Sequence, residues 1–159
     1  MQLSVIILNY NVRYFLELCV KSVLESVSSI DAEVIVIDNN SSDNSSLMLQ
    51  EVFKGQIKVI ENKVNLGFSK AYNQAVESCL GNYICILNPD TVVAEDTFIK
   101  TLDLLKSKKE LGALGCRMID GSGKFLPESK RNIPSPKIAL KKILGDSKNY
   151  YASLDEKHS

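Results

Sequence analysis

Short apolar segments alternate along this chain with longer segments in which apolar residues recur every three or four positions. The short segments predict strands buried on both faces, and the longer ones predict amphipathic helices. The predicted strands cover Leu3–Leu8, Glu33–Ile37, Gln56–Glu61, Asn82–Leu87 and Leu111–Ile119. The predicted helices cover Arg13–Ser28, a segment from Ser42 or Asp43 to Phe53, Ser69–Leu80 and Glu95–Ser107. This order predicts an α/β fold with a mostly parallel sheet covered by helices.

Polar residues that can bind a ligand follow four of the predicted strands. Asn9–Asn11 follows the first strand, and Asp38–Ser41 follows the second. Asn65–Phe68 comes after the third strand, and Asn88–Asp90 comes after the fourth. In parallel sheets, ligands bind beyond the carboxyl ends of the strands. The four groups therefore predict one site at that edge of the sheet.

The composition is that of an ordinary globular domain of 159 residues, with 45% hydrophobic and 24% charged residues. The 19 basic and 19 acidic side chains give no net charge, which argues against a nucleic-acid partner. No apolar run approaches the roughly 18 residues of a membrane span, and the N terminus lacks a signal-peptide pattern. The 4 cysteines form no C-x-x-C pair and predict buried thiols in a reducing compartment.

Four familiar kinds of site are excluded because the residues that they require are missing. The first strand is not followed by G-x-G-x-x-G, so a dinucleotide site would lack its pyrophosphate turn. Gly121–Lys124 looks like part of a P-loop, but Phe125 stands where Ser or Thr is needed, so we interpret this segment as a turn. The single histidine, His158, lies in a polar tail and leaves no candidate for a Ser-His-Asp triad or a His-ligated zinc.

The last part of the chain is basic and loses the regular pattern. Residues 124–148 carry 7 basic and 2 acidic side chains, and Pro136–Gly145 predicts a short basic helix. Two interpretations stay open, a solvated chain end or a surface that faces phosphates or an anionic membrane. We therefore expect a domain over residues 1–123, followed by a basic loop and a short helix over residues 124–159.

Together, the four polar groups resemble the family-two glycosyltransferases of the GT-A fold, most closely the rhamnosyltransferase-like branch. The resemblance rests on VIILNYN, VIVIDNNSSD, NLGFSKAYNQA and ILNPDTVV, which occur in the family's order and spacing between Leu3 and about Arg131. It implies a nucleotide-diphospho-sugar transferase fold and inverting glycosyl transfer from a UDP- or dTDP-sugar. The acceptor would be a glycan or a lipid-linked molecule in cell-surface polysaccharide or glycoconjugate synthesis. A non-catalytic nucleotide-binding or interaction module is the alternative.

The resemblance also implies roles for individual residues. Tyr10 would flank the base, and Asp38 would accept a hydrogen bond from uracil or thymine N3–H unless it caps the next helix. The helix after Gly67 would offer amide donors to phosphate, and Lys70 or Asn73 either faces the donor or is simply solvated. The residues expected at the donor nucleotide are Asn9, Tyr10, Asp38, Asn40, Asn65, Gly67, Lys70 and Asn88.

The segment Asn88–Asp90 stands where the family has its D-x-D motif. By resemblance, Asp90 is the carboxylate that binds Mg²⁺ or Mn²⁺ between the two donor phosphates. Asn88 departs from the first aspartate of D-x-D but matches the N-P-D form of the rhamnosyltransferase-like branch. With one carboxylate fewer, we expect a low affinity for free metal. The alternative is that N-P-D forms only a turn.

The family's catalytic base, usually in an E-D pair after a glycine-rich segment, has no counterpart in this sequence. After Asp120 the nearest match is Asp155-Glu156, which lacks the flanking pattern. We therefore expect a truncated fold that binds donor and metal but is inactive by itself. We expect it in the cytoplasm, with contact to the inner face of the membrane as an open alternative.

Overall fold

A computed structural model of the protein describes residues 1–126. The chain forms two compact units, Met1–Asp103 and Leu104–Ser159. The strands are β1 (Leu3–Asn9), β2 (Ala32–Asp38), β3 (Lys58–Glu61) and β4 (Tyr83–Leu87). The helices are α1 (Arg13–Ser26), α2 (Ser45–Val52), α3 (Phe68–Val76) and α4 (Thr97–Ser107). The predicted order of strands and helices is confirmed from β1 to α4, and the predicted helix at Pro136–Gly145 lies outside the described residues.

The four strands form one parallel sheet in the order β3-β2-β1-β4. In the register of the sheet, Asn9 pairs with Asp38 and Ile7 pairs with Leu87. On the other side of β2, Asp38 pairs with Glu61 of β3. All four carboxyl ends therefore lie at one edge, which is where the predicted site residues follow the strands.

Successive strand residues point to opposite faces of the sheet, and both faces of β1 and β2 are covered within Met1–Asp103. The prediction of a strand buried on both faces is wrong for β4, in which Ile84 and Ile86 are exposed. On one face, Val5 and Ile7 belong to a core with buried residues of α1, α2 and α4. On the other face, the core includes Ile6, Ile35, Ile37, Ala71, Tyr72 and Ala75. Burying each large aliphatic side chain contributes about 1.5–3 kcal/mol to the stability of the fold. The strand ends therefore project from a well-packed sheet.

The predicted strand over Leu111–Ile119 is wrong. Within residues 104–126, Ile119 makes an isolated antiparallel bridge with Phe125, and the residues before it form no ladder. A strand needs a neighbouring backbone for its hydrogen bonds, and apolar character alone does not supply one. The predicted turn at Gly121–Lys124 is confirmed, because the Gly123 N–H donates to the Asp120 carbonyl over 2.9 Å.

The helix predicted to reach Leu80 ends at Val76. It is followed by turns in which the Ser78 and Cys79 N–H groups donate to carbonyls three residues earlier. Gly81 then passes very close to β1: a Cβ atom there would lie 2.4 Å from the Ser4 backbone nitrogen. This contact requires glycine, and it places the start of β4 against β1.

All four cysteines are free thiols, but their environments differ. Cys19 is buried, Cys79 and Cys85 are partly buried, and Cys116 is exposed. The expectation of buried thiols is therefore confirmed for Cys19 and wrong for Cys116, which lies in the segment that forms no strand. None of the helices in residues 1–126 has the length and apolarity needed to span a bilayer.

Candidate functional site

The Asp38 carboxylate joins the ends of β1 and β2. Asn9 Nδ2 donates to Asp38 Oδ1 over 2.7 Å, and the Ser41 backbone N–H donates to Asp38 Oδ2 over 3.0 Å. Asn9 Nδ2 also contacts Ser41 Oγ, at 2.9 Å. Asn9 is fully buried and Asp38 is 4% exposed, so both side chains are fixed in orientation. Asn9, at the end of β1, therefore orients the Asp38 carboxylate at the end of the neighbouring strand.

Asp43, and not Asp38, caps the helices that follow these strands. Asp43 Oδ1 accepts the Ser45 N–H at the start of α2, and Oδ2 accepts the Arg13 N–H at the start of α1. Burial pushes the pKa of the Asp43 carboxyl up, but the hydrogen bonds from Ser45 and Arg13 outweigh it and leave the pKa below its usual value. One ionised carboxylate thus stabilises two helix N termini. The cap interpretation of Asp38 is excluded.

The loops after β1 and β2 contact each other directly. The Asn11 N–H donates to Ser41 Oγ over 3.0 Å, and the Ser42 N–H donates to Asn11 Oδ1 over 2.7 Å. Asn11 and Asn40 both have positive φ angles, 56° and 69°, which asparagine tolerates better than most residues. The two loops therefore form one defined surface, on which Asn40 is exposed.

Tyr10 lies on this surface and is 50% exposed. It follows Asn9 directly, so its ring is attached to the strand end whose amide orients Asp38. A half-exposed ring on a rigid strand end offers a flat apolar face to a planar ligand at low entropic cost.

Segment 62–67, between β3 and α3, is bound to the end of β2 through Asn39, a residue that the sequence did not single out. Asn39 Nδ2 donates to Asn65 Oδ1 over 2.7 Å. Asn39 Oδ1 accepts from Leu66 N–H at 3.0 Å and from Asn62 Nδ2 at 3.1 Å. Gly67 has a φ of 73° and immediately precedes α3. The candidates Asn65 and Gly67 are thus placed beside Asp38, while Lys70 is exposed on the first turn of α3.

The turn that follows β4 is supported from α1 and α3. On the α1 side, Cys19 Sγ lies 3.6 Å from the Asn88 carbonyl oxygen, which also accepts from Thr91 Oγ1 at 2.7 Å. On the α3 side, the Tyr72 hydroxyl donates to the Leu87 carbonyl over 3.0 Å. Burial raises the pKa of the Cys19 thiol to about 11, so it stays protonated and able to donate at neutral pH.

Asp90 and Asn88 are exposed on this turn. Over residues 1–126, no three His, Cys, Asp or Glu side chains are grouped closely enough to bind a metal on their own. A single exposed carboxylate suits a hard cation that takes its other oxygen ligands from a bound diphosphate and from water. The donor chemistry at Asp90 therefore fits Mg²⁺ or Mn²⁺ when substrate is present.

The parallel sheet thus carries a buried carboxylate, a half-exposed aromatic ring and an exposed carboxylate at its carboxyl edge, which is where open α/β sheets bind ligands. Residues 4–154 match the family described as glycosyl transferase family 2, and the chain belongs to this family.

Relatives with curated names agree with this family. The uncharacterized glycosyltransferase alr2836 of Nostoc sp. (strain PCC 7120) is 29% identical over 138 residues, which are 84% of this chain and 42% of the relative. The poly-beta-1,6-N-acetyl-D-glucosamine synthase of Staphylococcus epidermidis is 30% identical over 99 residues, which are 60% of this chain and 24% of the relative. The chain thus spans less than half the length of these curated relatives.

Solved structures show the GT-A fold. The fragment 1–349 of S. aureus TarS in complex with UDP matches with a TM-score of 0.66 and 19% identity, over 87% of this chain and 39% of that one. The mannosyltransferase PcManGT from Pyrobaculum calidifontis, in complex with GDP-Man and Mn²⁺, matches with a TM-score of 0.61 and 22% identity. That match covers 72% of this chain and 34% of PcManGT. The predicted nucleotide-diphospho-sugar transferase fold is confirmed, and the described part of it is shorter than in these neighbours.

Proposed function

We propose that this chain is the donor-binding part of an inverting glycosyltransferase that uses a UDP- or dTDP-sugar in cell-surface polysaccharide or glycoconjugate synthesis. The observation that carries the proposal is the oriented Asp38 carboxylate, with Tyr10 exposed beside it at the edge of the sheet where Asp90 follows β4. The N-P-D form of the Asp90 turn supports the rhamnosyltransferase-like branch of the family.

Asp38 selects the base in this proposal. An ionised carboxylate only accepts hydrogen bonds, and each of its oxygens has capacity for a second one beside those from Asn9 and Ser41. Uracil and thymine carry a hydrogen on N3, whereas cytosine and adenine do not. Tyr10 flanks the base, while Asn9 acts through Asp38 and Asn40 lies at the rim of the base site.

The donor diphosphate lies between segment 65–70 and the Asp90 turn in this proposal. Amide groups at the start of α3 and the exposed Lys70 suit a phosphate, and Asn88 would contact the donor beside Asp90. Asp90 would bind Mg²⁺ or Mn²⁺ together with the diphosphate. The metal, when bound, neutralises charge that develops on the leaving diphosphate. The Mn²⁺ and GDP-Man of PcManGT support this assignment.

The acceptor-binding part and the catalytic base belong to the whole enzyme in this proposal. Residues 1–123 bind the donor, and residues 124–159 lead toward the acceptor half, with their basic charge near the inner face of the cytoplasmic membrane. The acceptor is a glycan or a lipid-linked molecule, whose hydroxyl the base would deprotonate for attack on the anomeric carbon. We expect no acceptor-dependent sugar transfer by this chain alone. Such transfer would show that a base lies within residues 1–159.

Nucleotide binding tests the proposal. UDP or dTDP with Mn²⁺ should raise the melting temperature, since a ligand at 100 times its Kd adds about 2.7 kcal/mol to the free energy of unfolding. ADP should raise the melting temperature less, because adenine has no hydrogen on a ring nitrogen to donate to Asp38. Asp38→Asn should remove the difference between UDP and ADP. Asp31→Asn, which changes an exposed carboxylate just before the amino end of β2, is the matched control and should keep it. Equal shifts with UDP and ADP in the parent chain would contradict the role of Asp38.

A further inference from the structure

The Asn39 side chain has an unusual position between two parts of the candidate site. It is 2% exposed and follows Asp38 directly. Its amide makes one hydrogen bond as a donor, to Asn65, and two as an acceptor, from Asn62 and Leu66. All three bonds go to segment 62–66, which is more than 20 residues away in the sequence. A buried amide that uses both its oxygen and its nitrogen fixes the position of that segment relative to β2.

The hydrogen bonds continue from Asn39 to the start of α3. Asn65 Oδ1 accepts from Asn39 Nδ2 and also from the Gly67 N–H, at 2.9 Å. Gly67 in turn accepts the Ala71 N–H at its carbonyl, in the first turn of the helix. The orientation of Asn39 is therefore transmitted through one side chain to the N terminus of α3.

We propose that Asn39 is a positioning residue for the phosphate end of the nucleotide donor. It sets the place of Asn65 and Gly67, and of the amide groups that begin α3, relative to Asp38. Asn39 itself does not contact the donor. The proposal rests on the proposed function, because it takes Asn65 and Gly67 to lie at a nucleoside diphosphate.

The chemistry at position 39 distinguishes asparagine from its nearest isostere. An aspartate there would still accept from Leu66 and Asn62 but would have no hydrogen to donate to Asn65. If the Asn65 amide rotated to donate to the new carboxylate, its NH₂ group would face the Gly67 N–H. In one orientation of the Asn65 amide the bond between residues 39 and 65 is lost, and in the other the bond between Asn65 and Gly67 is lost. The hydrogen bond from the Leu66 N–H to residue 39 is kept in both.

Amide hydrogen exchange without any ligand tests the structural half of the proposal. Asn39→Asp should speed exchange of Gly67 by about tenfold or more and leave Leu66 within about threefold of the parent. Asn39→Leu should speed exchange of both amides. Asn44→Asp is the matched control, because Asn44 also precedes a helix but is exposed, and its side chain makes no cap bond. Unchanged exchange of Gly67 in both Asn39 variants would overturn the proposal.

Binding of UDP and of uridine, both with Mn²⁺, tests the functional half. In Asn39→Asp, the Kd for UDP should rise about tenfold or more, equal to about 1.4 kcal/mol, with the Kd for uridine within about twofold. Equal losses for both ligands would show that Asn39 acts on the base end, and unchanged UDP binding would show a purely structural role. Either result overturns the proposal. If the parent binds neither ligand, the proposed function fails, and the exchange rates still decide whether Asn39 positions the segment.

Discussion

The Tyr72 hydroxyl and the Leu87 carbonyl form a hydrogen bond of 3.0 Å that joins α3 to the last residue of β4. The Tyr72 side chain belongs to the core on the α3 face of the sheet. Burial raises the pKa of Tyr72 to about 12, so the hydroxyl remains a donor throughout the neutral range. The start of the Asn88–Asp90 turn is therefore positioned by the same helix whose N terminus lies beside Asp38.

Removing this hydroxyl should weaken the fold. We expect Tyr72→Phe to lower the free energy of unfolding by about 1–2 kcal/mol, because the Leu87 carbonyl, in a partly buried position, loses the hydrogen bond from Tyr72. Urea denaturation followed by circular dichroism measures the change. Tyr14→Phe removes the same atom from a side chain that is 78% exposed and should change the stability by less than about 0.5 kcal/mol. Equal effects of the two variants would contradict the role of the Tyr72 bond.

Asp43 should make the stability depend on pH in the acid range. Its pKa is lower in the folded chain than in the unfolded one. Its contribution is therefore complete above the unfolded pKa of about 3.9 and is lost as the pH falls through the folded pKa. Asp43→Asn should cost about 1–2 kcal/mol near pH 7, because an amide has one acceptor oxygen where the carboxylate has two, so the N–H of Ser45 or of Arg13 loses its partner.

The difference in the free energy of unfolding between Asp43→Asn and the parent should decrease as the pH is lowered below about 4, because the Asp43 carboxyl of the parent then becomes protonated. Thermal unfolding across this pH range measures it. Glu51→Gln removes an exposed carboxylate from α2 and serves as the control, for which we expect little loss at any pH. If this difference in the free energy of unfolding stays constant from neutral to strongly acid pH, the ionised Asp43 carboxylate does not stabilise the two helices.

Gly81 should tolerate no side chain. An alanine Cβ would lie 2.4 Å from the Ser4 nitrogen and 2.5 Å from the Leu3 carbonyl carbon, both of them backbone atoms of the central strand. We expect Gly81→Ala to cost about 2 kcal/mol or more, as overpacking against a rigid neighbour does. Gly112→Ala is the matched control because nothing lies within 4 Å of its Cβ. Chemical denaturation measures the free energy of unfolding of both variants. Equal stability of Gly81→Ala and Gly112→Ala would contradict the close contact between Gly81 and β1.

Asp90→Asn should abolish the Mn²⁺-dependent part of UDP binding and leave the fold intact. Asp90 is exposed, so its carboxylate is not needed for packing. Titration calorimetry with and without Mn²⁺ measures the effect, and Glu95→Gln, another exposed carboxylate nearby in sequence, should behave as the parent. If Asp90→Asn instead melts far below the parent without ligand, the N-P-D segment serves as a structural turn.

The sequence predicted the sheet because its two inner strands contain apolar runs rich in β-branched residues, Val5–Leu8 in β1 and Val34–Ile37 in β2. In Leu3–Asn9 and Ala32–Asp38, the apolar run itself marks the strand, and the first polar residue after it marks the edge. The predicted strand over Leu111–Ile119 contains Gly112, Gly115 and Arg117, and in the described residues its pairing is limited to the isolated bridge of Ile119 with Phe125. Composition thus predicts that a segment can form a strand, whereas pairing decides whether it does.

The candidate site was predicted only at the level of its loops. Asp38 and Asp90 follow strands and were found by position, but the role of Asn39 depends on contacts with segment 62–66. No local pattern distinguishes Asn39 from its neighbour Asn40, because one is buried and the other exposed only after the chain has folded. The sequence likewise gave no sign that Asn9 would orient Asp38.

The rate at which the Cys19 thiol is labelled also reports on opening of the fold near the Asn88–Asp90 turn. The thiolate is the form of cysteine that attacks alkylating reagents. Cys19 is fully buried and, with a pKa of about 11, almost entirely protonated at neutral pH. Cys116 is exposed, so it reacts without any opening of the fold. In one sample, the labelling rate of Cys116 therefore measures the reaction at an accessible thiol, and the slower labelling of Cys19 measures how rarely the core around α1 opens.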